Sequence, residues 1–455
     1  MIDFTEGKPW KLLLHFSIPM LIGNVLMQLY SIADFYIVGN YIGPQAMASV
    51  GSSMPILFAM VSFIIGITMG STVIVSQYFG AKDYTKMKRS VDTVIIFITM
   101  AAIIVSVVGL IFCNSLLRLV DTPDNVFEGS QIFLKINLIG LLPLFGVNCL
   151  NAILRGVGDS KTPLYVMLIS SGLNIILLLA FIPGMGWGIA GAACATILTQ
   201  TITVIGMILW LNHKHPIIKI TFHRLVFDLD IFRNSVRIGM PTGVQQMLVA
   251  VGMMALLGIV NRFSGENSNV LIAYSIVNRV DSLISVPAMT FSMAIAAFVG
   301  QNVGARKLSR IPTGLNASLA ISSILTVVLS ALMMIFAHPV MKLFSTEVNP
   351  DIINIGGRFL MIISPFYIVF STMFIYTGVM RGAGDTLIPM FITLLSLWIV
   401  RIPVASLMSD AIGPDGIWWS IPIAWSVGTI CAFLYYHTGR WKNKGVIKQS
   451  IEDGF

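Results

Sequence analysis

The sequence predicts an all-α polytopic membrane protein, with twelve transmembrane helices forming two six-helix bundles related by a pseudo-two-fold axis along the membrane normal. Three observations lead there. Of the 455 residues, 56% are hydrophobic and only 11% are charged, with a mean hydropathy of +0.87. Soluble domains run at about 25% charged residues, and a water-soluble core of this length could not enclose so much apolar surface. The apolar residues also fall into twelve runs, each near the ~20 residues that cross a bilayer. Finally, the last six runs repeat segments of the first six at a nearly constant offset.

The expected spans are 12–38, 47–78, 90–116, 130–152, 161–183, 188–211, 237–260, 270–299, 314–337, 353–378, 386–409 and 416–437. The links between them are short and leave no room for a soluble catalytic domain. The longest, Asn212 to Val236, carries Lys214, Lys219, Arg224 and Arg233 and joins the two halves. The organisation expected is an N-terminal six-helix lobe over 1–211, a cytoplasmic linker over 212–236, a C-terminal lobe over 237–437 and a cytoplasmic tail over 438–455. No cleavable signal is evident, because the first run is too long for an h-region and lacks a small-residue cleavage site.

Span 1 carries one acid, Asp34, far from the basic entry at Lys8 and Lys11. A helix covers roughly 30 Å from Leu14 to Asp34, which places the carboxyl in the outer half of the membrane. An acid there costs roughly 2.5–3.5 kcal/mol on insertion scales and usually faces a cavity or a pathway. The plainer reading is an acid that has reached the outer interface. Tyr30 lies one turn earlier on the same face. Asn148 and Asn151 share a face of span 4, Asn174 sits mid-span 5, and Thr196 lies on span 6. Each could be glue between helices, or part of one polar chamber.

Of the 28 lysines and arginines, 21 fall at the N-terminus, the even-to-odd links and the tail, against four on the opposite side. Positive charge marks the cytoplasmic side, so both termini are expected there. The net charge of +8 is explained by these links, and no nucleic-acid partner is implied. The four cysteines (Cys113, Cys149, Cys194, Cys431) lie in or beside apolar runs without ligand spacing, which suits membrane packing better than disulfides or metal.

The repeat is visible in three places. LRGVGDSKTP (Leu154 to Pro163) recurs as MRGAGDTLIP (Met380 to Pro389), SQYFGAK (Ser76 to Lys82) as GQNVGAR (Gly300 to Arg306), and Pro19 answers Pro241. A shift of six spans preserves orientation, so this is a parallel repeat, and such repeats commonly enclose a site whose access alternates. The second half is no copy at the polar positions. Leu256 stands for Asp34 and Val400 for Asn174, while Gln245, Gln246, Asn278, Arg279, Asp281 and Arg401 are new. Arg401 and Asp281 fall at comparable depths. They could pair across the bundle, or Asp281 could serve the substrate path or a second coupling site. No phosphate-binding loop, HExxH motif or zinc-like cysteine pair occurs. No cofactor is expected, and ATP is excluded as the direct drive.

The six-plus-six spans, the GAK and GAR turns, the doubled RG-x-GD segments and the span 1 aspartate together resemble the multidrug and toxic compound extrusion (MATE) family over essentially the whole chain. The helix-1 acid is most similar to the DinF-like and archaeal-like branches. The resemblance implies a V-shaped two-lobed antiporter in the inner or plasma membrane. It would work as a monomer and expel amphipathic, often cationic, drug-like molecules against an inward flow of H⁺ or Na⁺. It assigns Asp34, Tyr30, Asn174 and Thr196 to ion coupling, and Asn148, Asn151 and Met167 to the same chamber. Met27, Gln245 and Asp281 are added as substrate contacts. One departure stands out: Leu178 occupies the position where similar proteins carry a second aspartate; a carboxylate pair would favour Na⁺, and a single carboxylate among neutral donors suits a proton at least as well. A flippase for lipid-linked saccharides is the alternative function. It would call for several basic residues lining the cavity, and only Arg279 and Arg401 lie deep. An intramembrane enzyme is disfavoured, as no acid or histidine cluster is visible.

Overall fold

The computed structural model describes residues 1–263, 268–344 and 349–447. Helices α1 (Pro9–Tyr41) and α2 (Pro44–Gly80) meet at a two-residue turn, where Gly43 adopts φ 102, a conformation that side chains disfavour. Helix α3 (Tyr84–Leu119) starts at Asp83, whose carboxylate accepts the Lys86 N–H at 3.0 Å and caps the helix. Helices α4 (Asp124–Ile139) and α5 (Leu141–Gly156) form one span bent by 50° at Gly140. Pro143, just past the bend, has no N–H to return to the Ile139 carbonyl. Helix α6 (Lys161–Leu179) runs into a π-helical turn, Ala180–Gly184, and α7 (Gly188–Lys214) returns.

The second series is α8 (Leu229–Asn261), α9 (Asn269–Gly304) and α10 (Arg310–Phe344). Next come α11 (Pro350–Ile363) and α12 (Tyr367–Ala383), joined by a 3-10 turn at Ser364–Phe366. Last are α13 (Leu387–Leu394), a π-helical turn at Leu395–Arg401, α14 (Ile402–Ile412) and α15 (Pro414–His437). Among the described residues, eleven helical stretches are long and apolar enough to cross a membrane, and the bent α4–α5 pair makes twelve. The fold is therefore the all-α twelve-span plan. The tail beyond residue 447 lies outside the described residues.

The repeat extends to the backbone. Lys82 and Arg306, equivalent residues of the two GA-[KR] turns, both take φ 57. Gly158 and Gly384 of the RG-x-GD segments both take positive φ, and the next N–H reaches back to Leu154 in one case (2.8 Å) and Met380 in the other (2.9 Å). Both motifs are thus helix C-caps of the Schellman type, with glycine at the left-handed position.

The chain divides into two compact units: Met1–Asp3 with Ile18–Val244, and Phe4–Ser17 with Gln245 onward. In unit 1, α2 is sewn to α4 and α5 by hydroxyls that donate to carbonyls. Ser53 reaches Ser130 at 3.2 Å, Ser130 reaches Ser49 at 3.1 Å, and Thr72 reaches Ala152 at 3.1 Å. In lipid, where apolar burial drives no association, such bonds and close packing hold helices together. The start of α8 also belongs to unit 1. There Gly66 and Gly70 of α2 meet Gly239 and Gly243 at backbone contact, so that a Cβ on Gly239 would lie 2.6 Å from the Ile67 Cα.

In unit 2 the GQNVGAR segment seats the N-terminus. Gln301 Oε1 accepts the Phe4 N–H at 2.8 Å, Asn302 donates to the Phe4 carbonyl at 3.2 Å, and Arg310 donates to Gly7 at 2.8 Å. The buried Phe4 ring lies edge-on to Phe16 and Phe298. A stacked trio of Tyr274, Phe359 and Trp418 anchors the unit's core.

The linker is fixed to unit 1. The Asn212 amide both donates to and accepts from the backbone of Ile220, and His215 Nε2 lies 3.4 Å from Asp159 Oδ2. Burial pushes the His215 imidazole below its ordinary value, against the upward pull of the Asp159 carboxylate. The folded state thus favours the neutral ring. The unfolded chain binds the extra proton first as pH falls through about 6.5, so this contribution to stability is full above that pH and lost below it. His215→Gln is expected to flatten the loss of thermal stability between pH 7 and pH 5.5, read on the full-length protein in detergent. An unchanged pH slope would refute it.

Candidate functional site

The outer end of α1 packs Ile37 and Val38 against Ala46 of α2, Leu178 of α6, Ile182 of the π-helical turn that follows, and Ala192 and Ala195 of α7. This apolar cluster orders the polar groups beneath it. Asp34 lies one turn before Val38, Asn174 one turn before Leu178, and Thr196 one turn after Ala192. Because α1 and α6 run in the same direction and α7 returns, all three fall on the same side of the cluster. Tyr30 precedes Asp34 by one turn on the same face of α1, and the Thr196 hydroxyl donates to the Ala192 carbonyl of its own helix at 3.2 Å. The four residues expected to couple the ion therefore come from three helices that converge under one plug.

The electrostatics of this region are unbalanced. Asp34 Oδ1, Asn174 Oδ1 and Asn151 Oδ1 are buried acceptors without a protein donor. A buried unsatisfied polar atom costs about 1–3 kcal/mol. A proton on Asp34 supplies a donor, and a bound cation serves the same oxygens.

The other expected residues are spread more widely. Met27 shares the Tyr30–Asp34 face of α1 and is 53% exposed. Met167 lies against α1 at Gly23, where a Cβ would come 3.9 Å from its Sδ. Asn148 is half-buried on α5 and turns its amide back to the Leu144 carbonyl of its own helix at 2.9 Å. Gln245, expected as a substrate contact, lies on α8. It is 4% exposed, accepts from the Arg381 guanidinium at 3.3 Å and donates to Thr393 at 2.9 Å. Both ends of its amide are committed within unit 2, so it clamps α8 to the RG-x-GD arginine and has little left for a ligand.

In unit 2 the position equivalent to Asp34, Leu256, is buried in the core. Asp281 accepts the Tyr367 hydroxyl at 2.7 Å. Arg401 acts on it electrostatically but stops short of the 4.0 Å of an ion pair. Tyr367 escaped the sequence reading because a lone tyrosine in an aromatic-rich span carries no periodic signal. The direct Asp281–Arg401 pair, one of the two sequence readings, is not formed.

Leu178, where a second acid is usual in similar proteins, is fully buried in the plug against α1 and α7. A carboxylate placed there would enter an apolar contact at a cost of roughly 2.5–3.5 kcal/mol on membrane insertion scales. Leu178→Asp is expected to lower the yield and melting temperature of the purified protein without creating sodium-driven transport. A stable, sodium-driven variant would refute this.

Comparison with known proteins agrees with the repeat. A profile of the MatE family matches residues 19–180 and 241–407, so the two matched stretches open on the paired Pro19 and Pro241. The probable multidrug resistance protein YoeA of Bacillus subtilis is 32% identical, over 98% of both chains. YpnP of the same organism, also a probable multidrug resistance protein, is 32% identical over 97% of both. The solved outward-facing structure of a multidrug resistance MATE family transporter of the MOP superfamily superposes with a TM-score of 0.90. It covers 96% of this chain and 97% of that one at 24% identity, a likeness of fold.

Proposed function

The chain belongs to the MatE family, and on that footing we propose that it is a secondary antiporter exporting amphipathic, often cationic, compounds in exchange for a proton bound at Asp34. It is a multi-pass membrane transporter and not an enzyme, and its substrates are small drug-like molecules. The multidrug names of its relatives support this reading, and the bias of basic residues supports a cell-membrane location with both termini cytoplasmic. One chain supplies every coupling residue, so a monomer suffices, and no cofactor beyond the coupling ion is needed.

The observation that carries the proposal is the Asp34 carboxyl: buried at Oδ1 without a donor, flanked by Tyr30, and set under an apolar plug. Burial favours the neutral acid over the charged one, so a carboxyl here holds a proton that a wetted one releases. When deprotonated and hydrated, Asp34 keeps the chamber under the plug open to a cation or drug. Protonation removes the charge and lets α1 close on α6. Helix α1 can bend at Pro19, which has no N–H for the His15 carbonyl, or at Gly23, which meets only Leu164 and Met167. The drug leaves outward and the proton leaves inward.

The test is ethidium transport in vesicles of the purified protein, with proton and sodium gradients imposed separately. An imposed proton gradient is expected to drive transport and a sodium gradient to leave it at background. Transport driven by sodium alone would replace the proton in this scheme, and transport driven by neither would remove the antiport reading.

A further inference from the structure

The linker of unit 1 presents a surface that the transport scheme does not use. Its 3-10 turn Pro216–Ile218 packs on α3 and α7, and Ile218 and Ile220 are buried. Thr93 of α3 accepts the Asp228 N–H at 3.0 Å, which ties the far end of the linker to the same helix. The Asn212 amide holds Ile220 between these two points. With the backbone fixed in this way, the remaining apolar side chains are turned outward. Ile217, Phe222, Val226, Phe227 and Leu229 are all exposed, Phe222 to 60%. Large apolar groups bared in so short a stretch mark a membrane or partner surface.

The same stretch is positive. Lys214, Lys219, Arg224, Arg233 and Arg237 are exposed, and among the described residues none of them forms an ion pair. Of the nearby acids, Asp228 is spent on the N-terminus of α8, where Oδ1 accepts the N–H groups of Asp230 and Ile231 at 3.0 and 3.1 Å. Asp230 lies in the first turn of that helix, where the macrodipole favours an acid.

The flanking helices set the depth. The last turns of α7 carry Trp210 and Lys214, with the ammonium 5.6 Å from the ring centroid, and these residue types belong at the membrane–water boundary. Helix α8 presents Arg233 and Arg237 before its apolar run begins. The linker therefore starts and ends at helix ends that enter the bilayer, on the side that the basic residues mark as cytoplasmic. A soluble partner would call for a patch standing clear of the membrane. Anionic headgroups of the cytoplasmic leaflet attract basic segments of this kind, and interfacial segments combine such cations with apolar side chains that dip below the headgroups.

We propose that the linker, from Ile217 to Leu229, docks on anionic phospholipids of the cytoplasmic leaflet, with Lys219 and Arg224 at the headgroup phosphates and Phe222 and Val226 at the acyl boundary. Lipid then covers the apolar groups that the protein leaves bare and slows local opening of the linker. The proposal rests on the cytoplasmic placement of the linker and not on the export reading.

The experiment is amide hydrogen exchange on the full-length protein, read by mass spectrometry over 217–229, in nanodiscs of phosphatidylglycerol or of phosphatidylcholine. Both lipids offer the same acyl boundary, and the first carries a net negative charge. Exchange is expected to be about 10-fold slower in phosphatidylglycerol, on the scale that two cations at an anionic surface supply. Lys219→Gln combined with Arg224→Gln is expected to bring the two lipids within about twofold of each other. Lys442→Gln combined with Lys444→Gln, which removes the same charge from exposed residues of unit 2, is expected to leave the difference in place. Phe222→Ser should speed exchange in both lipids. Equal exchange of the unaltered protein in the two lipids is what a surface for a soluble protein would give, and it overturns the proposal even should a variant fail to fold. So does a difference that survives the loss of Lys219 and Arg224, or one that the unit 2 variant abolishes equally. None of these outcomes bears on ethidium transport, so the export reading stands or falls on its own test.

Discussion

Asp34→Asn is expected to bring gradient-driven ethidium efflux down to the leak rate of protein-free vesicles. The substitution keeps the shape and one acceptor of the side chain, so the contacts of Ile37 and Val38 with Leu178, Ala192 and Ala195 are undisturbed. It removes the carboxyl of the α1 face, which can exchange charge for neutrality. Removing a buried ionisable group relieves a desolvation cost, so the melting temperature of the variant is expected to equal or exceed that of the unaltered protein. Substrate binding should persist and lose its dependence on pH, because the variant stays in the discharged state. The paired result distinguishes a coupling residue from a structural one, since a structural acid would lose stability and transport together. Efflux that survives in the asparagine variant would end the proposed mechanism.

The second large effect is expected at the glycine crossing of α2 and α8. A Cβ on Gly70 would lie 2.6 Å from the Ser235 carbonyl oxygen, and one on Gly66 would run into the backbone of Gly243. These atoms are main chain and cannot swing aside, so the helices must separate. Overpacking by a single methyl costs about 1–3 kcal/mol, and leucine at Gly239 more. Close approach through small residues is a principal source of helix affinity in lipid, and separation also forfeits the contacts on either side of the crossing. Gly239→Leu is therefore expected to abolish recovery of monodisperse protein. Gly66→Ala should lower the melting temperature, read by size-exclusion after heating. Gly206→Ala is the control, as no atom of the described residues outside its own turn of helix lies within 4 Å of its Cβ position and alanine is the better helix former by about 1 kcal/mol. A Gly239→Leu protein as stable as the control would show that the crossing is dispensable.

The sequence by itself determined the number of spans and the six-plus-six repeat, gave an expected direction for them, and singled out Asp34. Each of these is written along the chain, because a bilayer demands a fixed length of apolar residues, tolerates few charges and sorts lysine and arginine to one side.

Tertiary structure alone decided which face of each helix meets which neighbour. Hydropathy separates lipid from water but does not distinguish lipid from another helix. Nothing in the sequence indicated that the first turns of α8 belong with α2, that Phe4 is buried in unit 2, or that Gln245 is spent on Arg381 and Thr393. Nor did it indicate that Leu178 closes the plug, or that Arg401 stops short of Asp281. Those outcomes follow from close packing and from the direction of individual hydrogen bonds, which are fixed only when residues distant in the chain are brought together.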